Sequence, residues 1–182
     1  YQPLMDLRGD KVRCLTVEAL ALWRHPQRGS VPPTQFIAVA EEAGLIHALG
    51  LQGLDQACAA HMLWQRTLGA HAPRTMSVNV SVAQLREADF VFQVEATLKR
   101  HRMPAGALQL EVTESIASQD ASVQRRLHNL KDLGLSLALD DFGTGYSALS
   151  CLHQLPINCV KIDRSFVLDL EHSSYHRTLV EA

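Results

Sequence analysis

LALDDFGTGYSAL, residues 137–149, carries an apolar run into two adjacent carboxylates and then into a glycine-flanked turn. With the two residues before it, the run reads LSLAL (135–139), four apolar residues in five positions, and it ends on Asp140 and Asp141. Neighbouring carboxylates repel, and each loses hydration when covered. A strand that ends this way either meets water there or faces a cation. Gly143 and Gly145 permit the turn that follows, because glycine reaches positive φ without steric cost.

Working outward, DASVQRRLHNLKDLG (120–134) has an apolar line through Val123, Leu127 and Leu130. That spacing predicts a helix capped by Asp120 and stopped by Gly134. Downstream, SALSCLHQL (147–155) reads as a short helix, NCVKIDRSF (158–166) as a strand and HRTLVEA (176–182) as the start of another helix. Upstream, TMSVNVS (75–81) alternates as a strand, with Met76, Val78 and Val80 on one face and Ser77, Asn79 and Ser81 on the other. ADFVFQVEATLKRH (88–101) lines up Phe90, Val94 and Leu98 as a helix, and LQLEVTE (108–114) is a strand. The first third reads as two strands, QPLMDL (2–7) and VRCLTVEALALW (12–23), around the turn RGDK (8–11). A loop, HPQRGSVPP (25–33), then leads to a helix opened by Pro33 with Phe36, Ile37, Ala40 and Ala43 at helical spacing. A second helix follows over 49–68, where Leu54, Cys58 and Met62 recur although Gly53 disfavours it.

Strands alternating with helices predict βα units and a parallel sheet, with the tightly connected first pair antiparallel. Six strands fit either an open α/β sheet or an eight-stranded barrel short of its last quarter, since such barrels take about 250 residues. Length and an apolar content of 47% fit one domain, or most of a larger one, with a sizeable core. Lys plus Arg number 17 against 19 Asp plus Glu, which does not suggest a surface for a nucleic-acid polymer. Cys14, Cys58, Cys151 and Cys159 form no CxxC pair and read as free, mostly buried thiols in a reducing compartment. Without an 18-residue apolar run or a signal pattern, the segment is expected in the cytosol, free or as the cytosolic part of a membrane-anchored protein.

Polar residues fall at matching places in these units. Glu18, Asn79, Glu111, the Asp140–Asp141 pair and Lys161 each interrupt an otherwise apolar strand. The C-terminal ends of parallel strands converge on one site, and buried charges need partners or a metal. Hard oxygen donors suit Mg²⁺ or Mn²⁺, and this many allow two ions about 4 Å apart, as in phosphoryl transfer. Lys161 could then hold a phosphate oxygen or orient the attacking water. The nine histidines form no metal-binding spacing and read as surface or helix residues. DFG at 141–143 lacks the other kinase motifs, and GTG at 143–145 lacks dinucleotide-binding spacing.

YQP (1–3), EAL (18–20), WRHP (23–26), FIAVAEEAGLI (36–46), SVNVS (77–81), LEVTES (110–115), DDFGTGYSAL (140–149) and VKIDRSFV (160–167) together resemble the EAL domain, the bacterial cyclic di-GMP phosphodiesterase. The resemblance implies a variant (β/α)₈ TIM-like barrel with an antiparallel first hairpin, in a chain (1–182) that lacks the last two βα units. It implies hydrolysis of cyclic di-GMP to linear pGpG with two Mg²⁺ or Mn²⁺ ions. Glu18, Asn79, Glu111 and Asp140 match the inner metal ligands, and Asp141 matches a ligand of the second ion. Lys161 matches the lysine at the catalytic water, while Leu20, Arg24 and Asp163 fall on the substrate side. Glu114 matches the glutamate that steadies the loop Phe142, Gly143, Thr144, Gly145, Tyr146 and Ser147. That loop also shapes the contact of a homodimer, and a diguanylate cyclase or sensor domain can be fused to such a unit.

The chain departs from the family pattern in two places. Leu22 stands where the family carries an arginine that contacts a ligand phosphate, and leucine cannot make charge-assisted bonds. Arg24 would share its face, and partly compensate, if the strand runs on regularly. The AEGVE segment with the general-base glutamate and the final QGY segment do not occur. A fragment of a longer polypeptide is therefore expected, with little activity alone. A degenerate domain that binds cyclic di-GMP as a receptor is the alternative.

Overall fold

The computed structural model describes residues 1–8, 12–118, 120–143 and 155–168. The central element is a six-stranded sheet in the order β1-β2-β5-β6-β7-β8, curled into a half-barrel. Its strands are β1 (Gln2–Asp6), β2 (Arg13–Ala19), β5 (Thr75–Asn79), β6 (Leu108–Thr113), β7 (Ser136–Phe142) and β8 (Cys159–Ile162). β1 pairs antiparallel with β2, and every later pairing is parallel. The α/β class and the antiparallel first hairpin expected from the sequence are present.

Period-two alternation decides which side of the sheet each residue serves. Met76 and Val78 of β5, Leu108 and Leu110 of β6, and Leu137 and Leu139 of β7 join one buried cluster. The same cluster takes Leu54 and Cys58 of α2 (Ile46–Leu68), Phe90, Val94 and Leu98 of α4 (Phe90–His101), and Val123, Leu127 and Leu130 of α5 (Ala121–Asp132). Those helices therefore cover one face. The intervening residues Ser77, Asn79, Glu111, Ala138 and Asp140 are turned to the other. Asp120 caps α5 as expected, its carboxylate accepting from the Ser122 and Val123 amides.

Three local readings are corrected. The segment 12–23 is not one strand: β2 stops at Ala19, and Trp23–His25 (β3) pairs with Gly29–Val31 (β4) in a separate hairpin where a loop was expected. Backbone pairing partners decided this, and the apolar run LALW could not reveal them. The strand expected to end at Phe166 ends at Ile162 and gives way to a short helix, α6 (Arg164–Leu168). Among the three described cysteines only Cys58 is buried, whereas Cys14 is half-buried and Cys159 exposed. His61, read as a surface or helix residue, lies within α2 and is only 1% exposed. The expected turn at 8–11, the helix at 147–155 and the helix at 176–182 lie wholly or mostly outside the described residues.

Two further helices are described: α1 (Pro33–Glu42), opened by Pro33 as expected, precedes α2, and the other follows β5 directly. In α3 (Val82–Arg86), Ser81 Oγ accepts from the Gln84 amide at 3.2 Å while Gln84 Oε1 accepts from the Ser81 amide at 3.1 Å. This reciprocal cap satisfies two donors that the helix start leaves open. Gln84 is buried against α2 at Gly50, where an added Cβ would lie 1.9 Å from Gln84 Nε2. Gly53, one turn on, has nothing within 4 Å of that position.

The two glycines therefore respond oppositely to alanine. Gly53→Ala is expected to stabilise the chain by about 0.5–1 kcal/mol, through helix propensity and a less flexible unfolded state. Gly50→Ala is expected to lower the melting temperature, because Gln84 must leave its cap. Equal shifts in thermal denaturation would show that α3 does not depend on Gly50.

Burial lowers the His61 pKa below the ordinary histidine value, and its Nδ1 has no hydrogen-bond partner among the described residues. The unfolded chain then takes up a proton that the folded chain refuses. Stability from this group is full above about pH 6.5 and falls as pH drops below it. His61→Leu should flatten the decline in melting temperature between about pH 7 and about pH 5.5. An unchanged slope would assign the decline to other groups.

Candidate metal centre

Five parallel strands each bring a polar side chain to the C-terminal half of the sheet. Glu18 is the penultimate residue of β2 and Asn79 the last of β5. Glu111 lies in β6 in register with both Asn79 and Ala138, Asp140 lies in β7 beside Thr113, and Lys161 lies in β8. Glu18, Glu111 and Asp140 each offer an oxygen within 4.8 Å of the other two.

Lys161 ties the three together. Its Nζ stands 2.6 Å from Glu111 Oε2, 3.2 Å from Glu18 Oε2 and 3.2 Å from Asp140 Oδ1. Glu18 Oε1 accepts from Asn79 Nδ2 at 2.7 Å. Glu111, only 1% exposed, has its other oxygen on Ser77 Oγ at 2.5 Å. Ser77 is fully buried and did not stand out in the sequence. The signal it left is a small hydroxyl two residues before Asn79, on the same strand face.

Burial pushes the Glu111 carboxyl above the ordinary range, while hydrogen bonds from Lys161 and Ser77 pull it back. Burial also opposes the Lys161 ammonium, but Glu111, Asp140 and Glu18 more than offset it and drive its pKa upward. Lys161 is thus the cation that makes burial of these acids tolerable. It does not balance them: three carboxylates face one ammonium, and Asp141 adds a fourth to the field of Asp140 and Lys161. Excess negative charge on oxygen donors, with the amide of Asn79 alongside, fits a hard divalent cation.

Asp141 reaches this field through a bulge in a strand that runs past both aspartates, where the sequence led us to expect the strand to end. β7 continues to Phe142, but three steps from Leu139 to Phe142 face two from Val160 to Ile162 on β8. The extra residue leaves Asp141 with φ 54°, a left-handed conformation that aspartate tolerates better than most residues. Burial, then Asp140 and Asp163, push the Asp141 carboxyl upward. Beyond the bulge, Gly143 has φ 101°, and an added Cβ would meet the Phe166 ring of α6 at 2.7 Å. Phe142 is buried, and the Gly143 amide donates to Glu114 Oε2 at 3.3 Å. Thr144, Gly145, Tyr146 and Ser147 lie outside the described residues.

The residues expected on the substrate side are not drawn into this cluster. Asp163 turns its carboxylate to the start of α6, accepting from the Ser165 amide at 2.9 Å and from the Ser165 hydroxyl. Leu20 is 43% exposed just past the end of β2, and Leu22 is 75% exposed. Arg24 sits in the β3–β4 hairpin opposite Ser30. The regular strand on which its compensation for Leu22 depended is broken after Ala19.

Known proteins resemble this chain in sequence and fold. The chain is 43% identical over 167 residues to the bifunctional diguanylate cyclase/cyclic di-GMP phosphodiesterase MucR of Pseudomonas aeruginosa, covering 91% of this chain and 24% of that protein. It is 38% identical over 184 residues to the cyclic di-GMP phosphodiesterase NbdA of the same organism, covering 100% of this chain and 23% of the relative. The chain thus spans about a quarter of the length of these relatives. The solved PaMucR phosphodiesterase in complex with c-di-GMP superposes with a TM-score of 0.87 at 41% identity, over 99% of this chain and 72% of that one. The description of the EAL domain matches residues 1–182. From end to end, then, this chain belongs to the EAL domain family.

Proposed function

We propose that the chain is the metal-binding part of a cyclic di-GMP phosphodiesterase, which opens the cyclic dinucleotide to linear pGpG with two Mg²⁺ or Mn²⁺ ions. The observation that carries this reading is the triangle of Glu18, Glu111 and Asp140 around Lys161 Nζ at the strand ends. Its membership of a family with named cyclic di-GMP phosphodiesterases supports it.

Hydrolysis adds water across one P–O3′ bond, the hydroxyl going to phosphorus and the proton to the departing 3′ oxygen. Bound ions would supply charge stabilisation for the attacking and leaving oxygens. Glu18, Asn79, Glu111 and Asp140 would hold the inner ion and Asp141 the second. Lys161 remains an ammonium at physiological pH and is suited to a phosphate oxygen or the attacking water. Glu114 is occupied at the Gly143 amide. Glu18 and Glu111 are likewise engaged. None of these three glutamates is assigned the role of general base. A homodimer contacting through the loop after β7 and a cytoplasmic location go with this reading. No helix among the described residues is long and apolar enough to cross a membrane.

A receptor that binds cyclic di-GMP without cleaving it is the second reading. Exposed Leu22, in place of a phosphate-binding arginine, favours it. Turnover separates the two. The full-length protein carrying this chain should convert cyclic di-GMP to pGpG in the presence of Mn²⁺ or Mg²⁺, whereas residues 1–182 alone should convert little. Binding with no pGpG from the full-length protein would establish the receptor, and no binding would remove both readings.

The second ion has its own test. Asp141→Asn should lower the Mn²⁺ stoichiometry from about two to about one, with the circular dichroism spectrum unchanged. Two ions bound with full affinity in that variant would show that Asp141 is not a ligand.

A further inference from the structure

Among the described residues, Ser77 is the one fully buried hydroxyl at the centre, and it touches the most buried of the carboxylates. It lies in register with Glu18 on one side and Gln109 on the other, one strand layer below Asn79 and Glu111. Glu111 therefore bends back along the sheet to reach it, placing Oε1 on Ser77 Oγ at 2.5 Å. Oε2 is left turned toward Lys161, on the side of Glu18 and Asp140.

A glutamate has two staggered side-chain torsions and a third, terminal torsion that is broad and weakly restrained. One hydrogen bond to Lys161 fixes the position of one oxygen but not the plane of the carboxylate. The second bond, to a group carried on a different strand, fixes that plane. Ser77 has no long stem of its own to reorganise, and the backbone of β5 places its oxygen. A bare methyl there would leave Glu111 Oε1 buried without this donor, a costly state that reorientation of the carboxylate would relieve.

We propose that Ser77 is a positioning residue for the metal centre. It holds Glu111 in one orientation, so that Oε2 alone is presented to the cation beside Glu18 and Asp140. The inference rests on the metal-binding reading of the site given above. It assigns Ser77 an effect on cation affinity that mere filling of buried space would not produce. Partners of this kind, one shell out from a ligating carboxylate, typically change metal affinity by about 10- to 100-fold.

Calorimetric titration of the protein with Mn²⁺ alone tests this through a double-mutant cycle. Ser77→Ala should weaken Mn²⁺ binding by about 10-fold, and the same substitution in a Glu111→Gln background should change it little, because the group it orients has been altered. Ser77→Cys, which keeps the volume and replaces the hydroxyl with a weak donor, should behave as alanine does and stands in for it if alanine fails to fold. Unchanged Mn²⁺ affinity in these variants overturns the proposal, as does an equal loss in both backgrounds, which would mark Ser77 as a packing residue. Failure of the unsubstituted protein to bind Mn²⁺ would instead overturn the metal-binding reading itself.

Discussion

An ammonium held among three carboxylates governs how this sheet can close. Glu111 is almost wholly buried, and an unpaired ionised acid in that position would oppose folding strongly. Lys161 supplies the opposite charge from β8, with β7 between its strand and that of Glu111. The pair therefore couples strands that are not direct neighbours. Ser77 and Asn79 complete the arrangement from β5 by donating to Glu111 and Glu18. The face of the sheet away from the helices is a polar network, and the face toward them is a hydrocarbon core. Both are produced by the same alternation.

That alternation explains how much was legible beforehand. In TMSVNVS and LQLEV every second residue is apolar, so the strands, their two faces and the inward direction of Asn79 and Glu111 could be read directly. The helix at 120–134 was legible because its apolar line and its capping aspartate agree. Asp140 and Lys161 could be placed at strand ends for the same reason. Whether they meet is a matter of register between strands, which local pattern does not encode.

What escaped the sequence depended on partners distant in the chain. ALALW looks like a continuation of β2, but Trp23–His25 finds its partner at Gly29–Val31 instead. An apolar run states only that burial is favourable, not against which strand. The bulge at Asp140–Asp141 exists only relative to β8, so a reading of β7 alone placed a strand end there. That Asp163 caps the start of α6 through one carboxylate oxygen also depends on where β8 ends. Ser77 looked like one small residue of an alternating strand, because its significance lies 34 residues away at Glu111. The S-x-x-Q pattern at 81–84 was the one missed element with a purely local signature.

The separation of these partners along the chain bears on synthesis. Glu18 and Lys161 are 143 residues apart, and Glu111 precedes Lys161 by 50. A ribosome delivers every acid of the cluster before it delivers the ammonium. Until β8 emerges, β2, β5, β6 and β7 can pair their backbones and begin to bury their helix-facing side chains, but closure around Glu111 carries uncompensated charge. Of the cluster's charged members, Lys161 is thus the last to reach the sheet. During that interval the carboxylates of the cluster have no ammonium among them, and a divalent cation would supply the opposite charge in its place.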